Sequence, residues 1–218
     1  MDFEKARFNM VEQQIRPWDV LDFDVLDALG DIPREYFVGE AFQGLAYADQ
    51  TLPLPNGSRM LEPRIVARLV QGLALKKTDR VLEIGTGSGY ASALLSKLAG
   101  EVATVDIDET QQNLAKAALE RAGCGNVSFH IADGLKEAHP AAPFDAVYVG
   151  GSVPAVPAAL LEQLKDSGRM VVIVGTEPVQ RALLVTKNDG ETTEKVLFDT
   201  LVPALDGQAA KAADPFDF

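Results

Sequence analysis

Val81-Leu82-Glu83-Ile84-Gly85-Thr86-Gly87-Ser88-Gly89 decides how this chain of 218 residues folds. Val81, Leu82 and Ile84 form an apolar run that stops at a glycine-rich turn, the pattern of a buried strand. Gly85, Gly87 and Gly89 allow positive φ and let a ligand approach the backbone without meeting a Cβ. Tyr90 to Leu98 (YASALLSKL) then opens a helix whose first N–H groups suit a polar or anionic ligand. Twenty-one residues after Gly85, a second apolar strand, 102–105, ends in Asp106. An acid there is placed to accept hydrogen bonds from ribose hydroxyls of a nucleoside cofactor.

The spacing discriminates between cofactors. A dinucleotide fingerprint is G-x-G-x-x-G, whereas Glu83 followed by Gly85, Gly87 and Gly89 resembles the E-x-G-x-G-x-G motif of class I methyltransferases. In that family the acid supports the methionine end of S-adenosylmethionine. A carboxylate attracts the ammonium and sulfonium of that cofactor and would repel a pyrophosphate. Val127 to Ala132 (VSFHIA) reads as a third strand followed by Asp133-Gly134, and the resemblance implies that Asp133 meets the adenine amino group. It implies a cofactor site of Glu83, Gly85, Thr86, Gly87, Ser88, Gly89, Asp106, Ile107, Asp133 and Gly134, with Arg59, Met60 and Leu61 over the reactive end. A nicotinamide enzyme and a cofactor-free α/β protein with incidental glycines are the competing readings.

The rest of the chain falls into three parts. Residues 1–77 form an N-terminal helical region that covers the substrate and cofactor end of the sheet, with helices over 4–16 and 19–30 broken at Arg16-Pro17. Pro33 sits in the first turn of a short helix to Val38, a proline-rich connector spans 52–57, and a helix spans 63–73. Residues 78–205 form the cofactor-binding domain. Strands are expected at 80–84, 101–105, 127–132, 144–149, 169–174, 182–187 and 195–200. Helices are expected at 90–98, 109–122 and 156–165, with helix or loop at 177–181. The alternation predicts a doubly wound α/β fold: a mainly parallel seven-stranded, Rossmann-like sheet with helices on both faces. Its last two strands form an antiparallel edge hairpin around Asn188-Asp189-Gly190. Residues 206–218 read as a flexible tail.

Composition narrows the partners. A formal net charge of −12, from 32 acidic and 20 basic residues, disfavours nucleic acid. The N-terminus lacks the apolar core of a signal peptide, and no segment approaches the ~20 apolar residues that span a bilayer. A cytoplasmic protein is expected, monomeric or dimeric. The one cysteine, Cys124, lies in a Gly-Cys-Gly-Asn turn and reads as structural. His130 falls within a strand and His139 in a loop, so no metal site is expected.

The layout as a whole resembles the protein-L-isoaspartate O-methyltransferase family over about residues 8–205. The likeness is carried by Met10-Val11-Glu12-Gln13-Gln14-Ile15, Ile32-Pro33-Arg34-Glu35-Tyr36-Phe37-Val38, Ala46-Tyr47-Ala48-Asp49, Asp133-Gly134 and Leu201-Val202-Pro203-Ala204-Leu205. It implies a damaged protein or peptide as partner, whose isoaspartyl carboxylate attacks the cofactor methyl group. A carboxylate is ionised at neutral pH, so no general base is required and alignment does most of the work.

One stretch departs from the family. Where the family reads G-Q-T-I-S-Q-P, this chain has Gly57-Ser58-Arg59-Met60-Leu61-Glu62-Pro63. Arg59 replaces the threonine, and Leu61 replaces a serine regarded as important for activity, removing a hydroxyl donor. Losing such a donor can cost ~10²–10³ in rate. A guanidinium can hold a carboxylate bidentately, so Arg59 is a candidate for gripping the acceptor; pairing with Glu62, or simple exposure, are the alternatives. Gly150-Gly151-Ser152 also stands where the family often has Thr-Ala-Ala. A paralogue with another acceptor and a silent cofactor-binding protein therefore stay open beside isoaspartyl methylation.

Overall fold

The computed structural model describes residues 2–205. Seven strands form one sheet in the order β5-β4-β3-β6-β7-β8-β9, and a small hairpin pairs β1 (Leu52–Pro53) with β2 (Arg59–Met60). Strands β3 (Arg80–Ile84), β4 (Glu101–Asp106), β5 (Val127–Ile131), β6 (Phe144–Val153) and β7 (Leu164–Thr176) run parallel. Antiparallel β8 (Val179–Asn188) and β9 (Glu191–Thr200) complete the edge. The chain goes outward from β3 to β5 on one side and from β6 to β9 on the other. The strand order thus reverses beside β3, the position where open α/β sheets bind ligands at the carboxyl ends of their strands.

The two faces follow from side-chain alternation along each strand. Val81, Val102, Ala146, Tyr148, Val171 and Ile173 face one core, packed with α2 (Phe23–Asp31), α3 (Pro63–Leu73) and α4 (Tyr90–Leu98). Leu119 of α5 (Glu109–Arg121) joins the same core. Leu82, Ile84, Val105, Val147, Met170 and Val172 face the other core, where α6 (Ala158–Glu162) contributes Leu160. Side chains of the N-terminal helices and of the sheet therefore share one core.

Strand β3 and helices α3 and α4 occupy the spans that the sequence predicts, and the 188–190 turn does join an antiparallel hairpin. Elsewhere local signals lose to long-range bonds. The first helix holds as α1 (Phe3–Asn9) but continues as a π-helical turn over Met10–Ile15 and a 3₁₀ turn over Arg16–Trp18. The second starts at Phe23 rather than 19, because Asp22 caps it by accepting from Asp24 and Val25 N–H. Gln71 of α3 ties the preceding turn: its Oε1 accepts from Leu21 and Asp22 N–H at 2.7 and 3.0 Å, and its amide donates to Asp19 O. The helix expected at 33–38 is a 3₁₀ turn, Arg34–Phe37. The helix expected over 156–165 is only five residues. Gln163 ends it by accepting from His139 N–H at 2.7 Å and, through its carbonyl, from Phe144 N–H at 2.8 Å. The 177–181 segment is a turn that enters β8. The tail at 206–218 lies outside the described residues.

Candidate functional site

A cavity of about 220 Å³ opens where the carboxyl ends of β3, β4 and β6 meet. Gly85 and Gly87 of the glycine loop form its floor, Asp106 and Ile107 one side, and Asp133 and Gly134 another. Asn56 to Arg59 and Leu61, from the β1–β2 hairpin and the segment after it, close the front, so this is the part of residues 1–77 that reaches the site. A smaller cavity of about 40 Å³ adjoins it, lined by Met60, Thr86, Ser88, Tyr90 and Tyr148 together with Arg59 and Leu61.

Asp106 ends β4 and pins the loop. Its Oδ2 accepts from Gly87 N–H at 3.0 Å and its Oδ1 from Asp108 N–H at 3.0 Å. A carboxylate has about four lone-pair sites, so capacity remains for ligand hydroxyls. Gln111 adds a second tie, donating to Gly87 O at 2.9 Å. Gly85 (φ 86°) and Gly87 (φ 51°) lie in the left-handed region, which the tight turn requires. Asp133 follows β5, accepts from Leu135 N–H at 3.2 Å and pairs with Lys136 at 2.6 Å. The Lys136 ammonium holds its carboxyl below the usual carboxylate range, so the cavity presents an anion there. Ile107 is exposed and offers an apolar surface beside it.

Five predicted residues stand back from the large cavity: Met60, Thr86 and Ser88 line only the smaller one, and Glu83 and Gly89 line neither. Glu83 is fully buried and lines neither cavity; Ser92 of α4 donates to its Oε2, while its Oε1 has no hydrogen-bond partner. Thr86 turns its hydroxyl inward, 2.7 Å from that of Thr104, and accepts from Gln112 at 3.1 Å. Gly89 lines neither cavity. A Cβ there would lie 3.1 Å from Ala115 Cβ of α5, so this third glycine serves the packing of α4 against α5.

The divergent loop is fixed from beneath. Arg34 is fully buried; its Nε donates to Ala46 O at 2.7 Å and its Nη2 to Leu61 O at 2.8 Å, and its guanidinium stacks on Tyr90 at 4.5 Å. The Leu61 side chain is buried. Arg59 is exposed on the rim of both cavities, with Nε donating to Thr51 Oγ1 at 2.8 Å. The expected alternative of an ion pair with Glu62 is not what forms: among the described residues no carboxylate lies within 4.0 Å of the Arg59 guanidinium.

Other lining residues were not assigned from sequence. Ile84, Val105, Ala132 and Leu135 also line the cavity, as do Gly150 and Gly151 on the extension of β6, and Pro203, Ala204 and Leu205 beyond β9. The Leu-Val-Pro-Ala-Leu match was a signal for the latter, but not for their place over the glycine loop.

A switch-point cavity with a glycine loop, an acid ending the second strand and an Asp-Gly after the third defines a class I S-adenosylmethionine-dependent methyltransferase. The Asp106 and Asp133 carboxylates line the cavity, and the buried Glu83 keeps one oxygen without a partner, an acidic set that suits such a cationic, ribose-bearing cofactor. The comparisons narrow the class. The protein-L-isoaspartate(D-aspartate) O-methyltransferase (PCMT) family pattern matches residues 6–209. A protein-L-isoaspartate O-methyltransferase of Roseiflexus sp. (strain RS-1) is 41% identical over 211 residues, covering 96% of each chain. One from Koribacter versatilis (strain Ellin345) is 38% identical over 97% of this chain and 96% of its own. A solved protein-L-isoaspartate O-methyltransferase structure superposes with a TM-score of 0.80 at 28% identity, covering 94% of this chain and 66% of that longer one. The fold is also shared, at a TM-score of 0.77 and 19% identity over 94% of this chain and 98% of the other, with a Plasmodium falciparum structure in complex with S-adenosyl-L-homocysteine. The chain belongs to the protein-L-isoaspartate(D-aspartate) O-methyltransferase family.

Proposed function

We propose that this chain transfers a methyl group from S-adenosylmethionine to the carboxylate of isoaspartyl residues in damaged proteins, with Arg59 gripping the acceptor. The observation that carries this reading is the Arg59 guanidinium, held by Thr51 on the rim of both cavities with, among the described residues, no carboxylate beside it. Bound in the cavity, the cofactor supplies an electrophilic methyl on a sulfonium. The chain's residues then have separable tasks. Asp106 takes the ribose hydroxyls, Asp133 the adenine amino group, Ile107 the ring face, and Glu83 the ammonium side of the methionine portion. Gly85, Thr86, Gly87, Ser88 and Met60 shape the backbone wall around that portion. Arg59 orients an acceptor already ionised at neutral pH, and Leu61 keeps water from the reacting end. No side chain needs to remove a proton, so rate enhancement comes from alignment and from exclusion of solvent.

A second reading keeps the cofactor and changes the acceptor. The buried Leu61, in place of a hydroxyl, favours it, because a smaller and more apolar pocket selects a different carboxylate. Steady-state kinetics on an isoaspartyl peptide separate the two. The wild type should methylate the peptide, and Arg59→Ala should raise the peptide KM at least tenfold while S-adenosylhomocysteine binds as before. An unchanged KM would remove Arg59 from the acceptor site. Absence of wild-type turnover with intact cofactor binding would favour the second reading.

A further inference from the structure

Pro203, Ala204 and Leu205 line the cavity as the end of a segment, 201–205, that leaves the sheet where β9 ends and brings Leu205 onto the glycine loop. Ser152 N–H donates to Pro203 O at 3.0 Å, and Leu205 N–H donates to Ser152 O at 2.9 Å, so the strap runs parallel to the end of β6. Glycines admit it. A Cβ on Gly151 would lie 3.0 Å from Leu205 N, and a Cβ on Gly85 would lie 2.7 Å from Leu205 Cδ1. The Leu205 side chain therefore rests directly on the first glycine of the loop.

Gln180 holds the strap in place. Its backbone pairs in register with Thr200, the last residue of β9, and its side chain takes over two residues later. Gln180 Oε1 accepts from Val202 N–H at 2.8 Å; Nε2 donates to Val202 O at 3.2 Å and to Ser152 Oγ at 3.1 Å. One buried amide thus pairs both backbone groups of Val202, as a strand would, and binds the strap to β6 as well. Removing it leaves the buried Val202 N–H unpaired and the Val202 carbonyl with only the longer 3.4 Å bond from Ser152 Oγ, at a cost that the strap avoids by moving out toward water.

We propose that Gln180 is a positioning residue for cofactor binding: with Ser152 it latches residues 201–205 onto Gly151 and so sets the Leu205 wall of the cavity. The proposal rests on the reading that this cavity holds S-adenosylmethionine. Neither side chain of the latch lines the cavity, so their effect reaches the ligand only through the strap.

Calorimetric titration with S-adenosylhomocysteine, read beside thermal melting and the KM for S-adenosylmethionine, tests it. Gln180→Leu should weaken S-adenosylhomocysteine binding about tenfold and raise the S-adenosylmethionine KM in step. Gln180→Glu keeps the acceptor for Val202 N–H and should fall between. Gly151→Ala displaces the strap without touching the amide and should shift binding in the same direction, but because Gly151 also lines the cavity its loss counts only beside that of Gln180→Leu. Gln180→Leu and Gly151→Ala that melt lower but bind S-adenosylhomocysteine like the wild type would overturn the latch alone. A wild type that fails to bind S-adenosylhomocysteine would overturn the cavity reading and the latch together.

Discussion

Glu83 and Tyr148 are register partners on the adjacent parallel strands β3 and β6, both buried, and each keeps an oxygen without a hydrogen-bond partner. Burial pushes the Glu83 carboxyl up to about 7, with the Asp106 charge adding to the rise and Ser92 and Thr104 opposing it. Burial also raises the Tyr148 phenol, and the neighbouring Glu83 adds to that. A carboxyl group poised near neutrality beneath the glycine loop is a built-in titration.

The folded protein retains a proton at Glu83 between the ordinary value of 4.5 and about 7, where the unfolded chain releases it. Stability from this group is therefore full below 4.5 and is lost as pH rises to about 7. The loss is on the order of 3 kcal/mol at about 1.4 kcal/mol per pK unit. Denaturant unfolding without ligand should show Glu83→Gln gaining on the wild type between pH 5 and 8. Parallel pH profiles for the two proteins would refute the assignment.

Asp106 combines two tasks, pinning Gly87 and Asp108 N–H and facing the cavity. Asp106→Ala should weaken S-adenosylhomocysteine binding by at least tenfold, since charge-assisted bonds contribute ~1.5–3 kcal/mol each. Asp106→Asn, which keeps one acceptor, should lose less. Titration calorimetry reads both, and equal affinity in Asp106→Ala would take this carboxylate out of the ribose site.

Arg34 joins two carbonyls, Ala46 O and Leu61 O, inside the core. Arg34→Met should cost ~3 kcal/mol or more, lowering Tm by roughly 10 °C for a chain of this size. Arg34→Lys should not restore it, because an ammonium lacks the planar fork that reaches both carbonyls. A melting curve for Arg34→Lys that overlays the wild type would contradict this.

Gly89 separates packing from binding. With φ at 83° and Ala115 Cβ 3.1 Å from the missing methyl, Gly89→Ala should destabilise the α4–α5 contact. The left-handed conformation alone costs ~1–2 kcal/mol in a residue with a Cβ. Thermal melting should fall by several degrees while S-adenosylhomocysteine affinity stays within about threefold. A loss confined to affinity would return Gly89 to the ligand site.

The sequence exposes the parts of this protein whose physics is local. Strand β3 and helix α4 read directly, because a continuous apolar run meets a glycine turn and then a helical period. Asp106 and Asp133 follow as strand-end acids. What stays hidden depends on distant partners. Gln71 reorganises residues 19–22 from about fifty positions away, and Gln163 truncates a helix whose period continues to 165. The role of Gly89 is invisible because a glycine that admits a ligand and one that admits a helix look alike. The strap at 201–205 reaches the cavity only because β9 ends beside β8, a consequence of sheet order rather than of composition.

The most direct test is methyl transfer from labelled S-adenosylmethionine to two otherwise identical peptides, one with isoaspartate and one with normal aspartate. The isoaspartyl peptide alone should take up label, released by base as methanol, with Leu61 in place. Label on neither peptide, from a preparation that binds S-adenosylhomocysteine, would contradict isoaspartyl methylation while leaving the fold and the cofactor site intact.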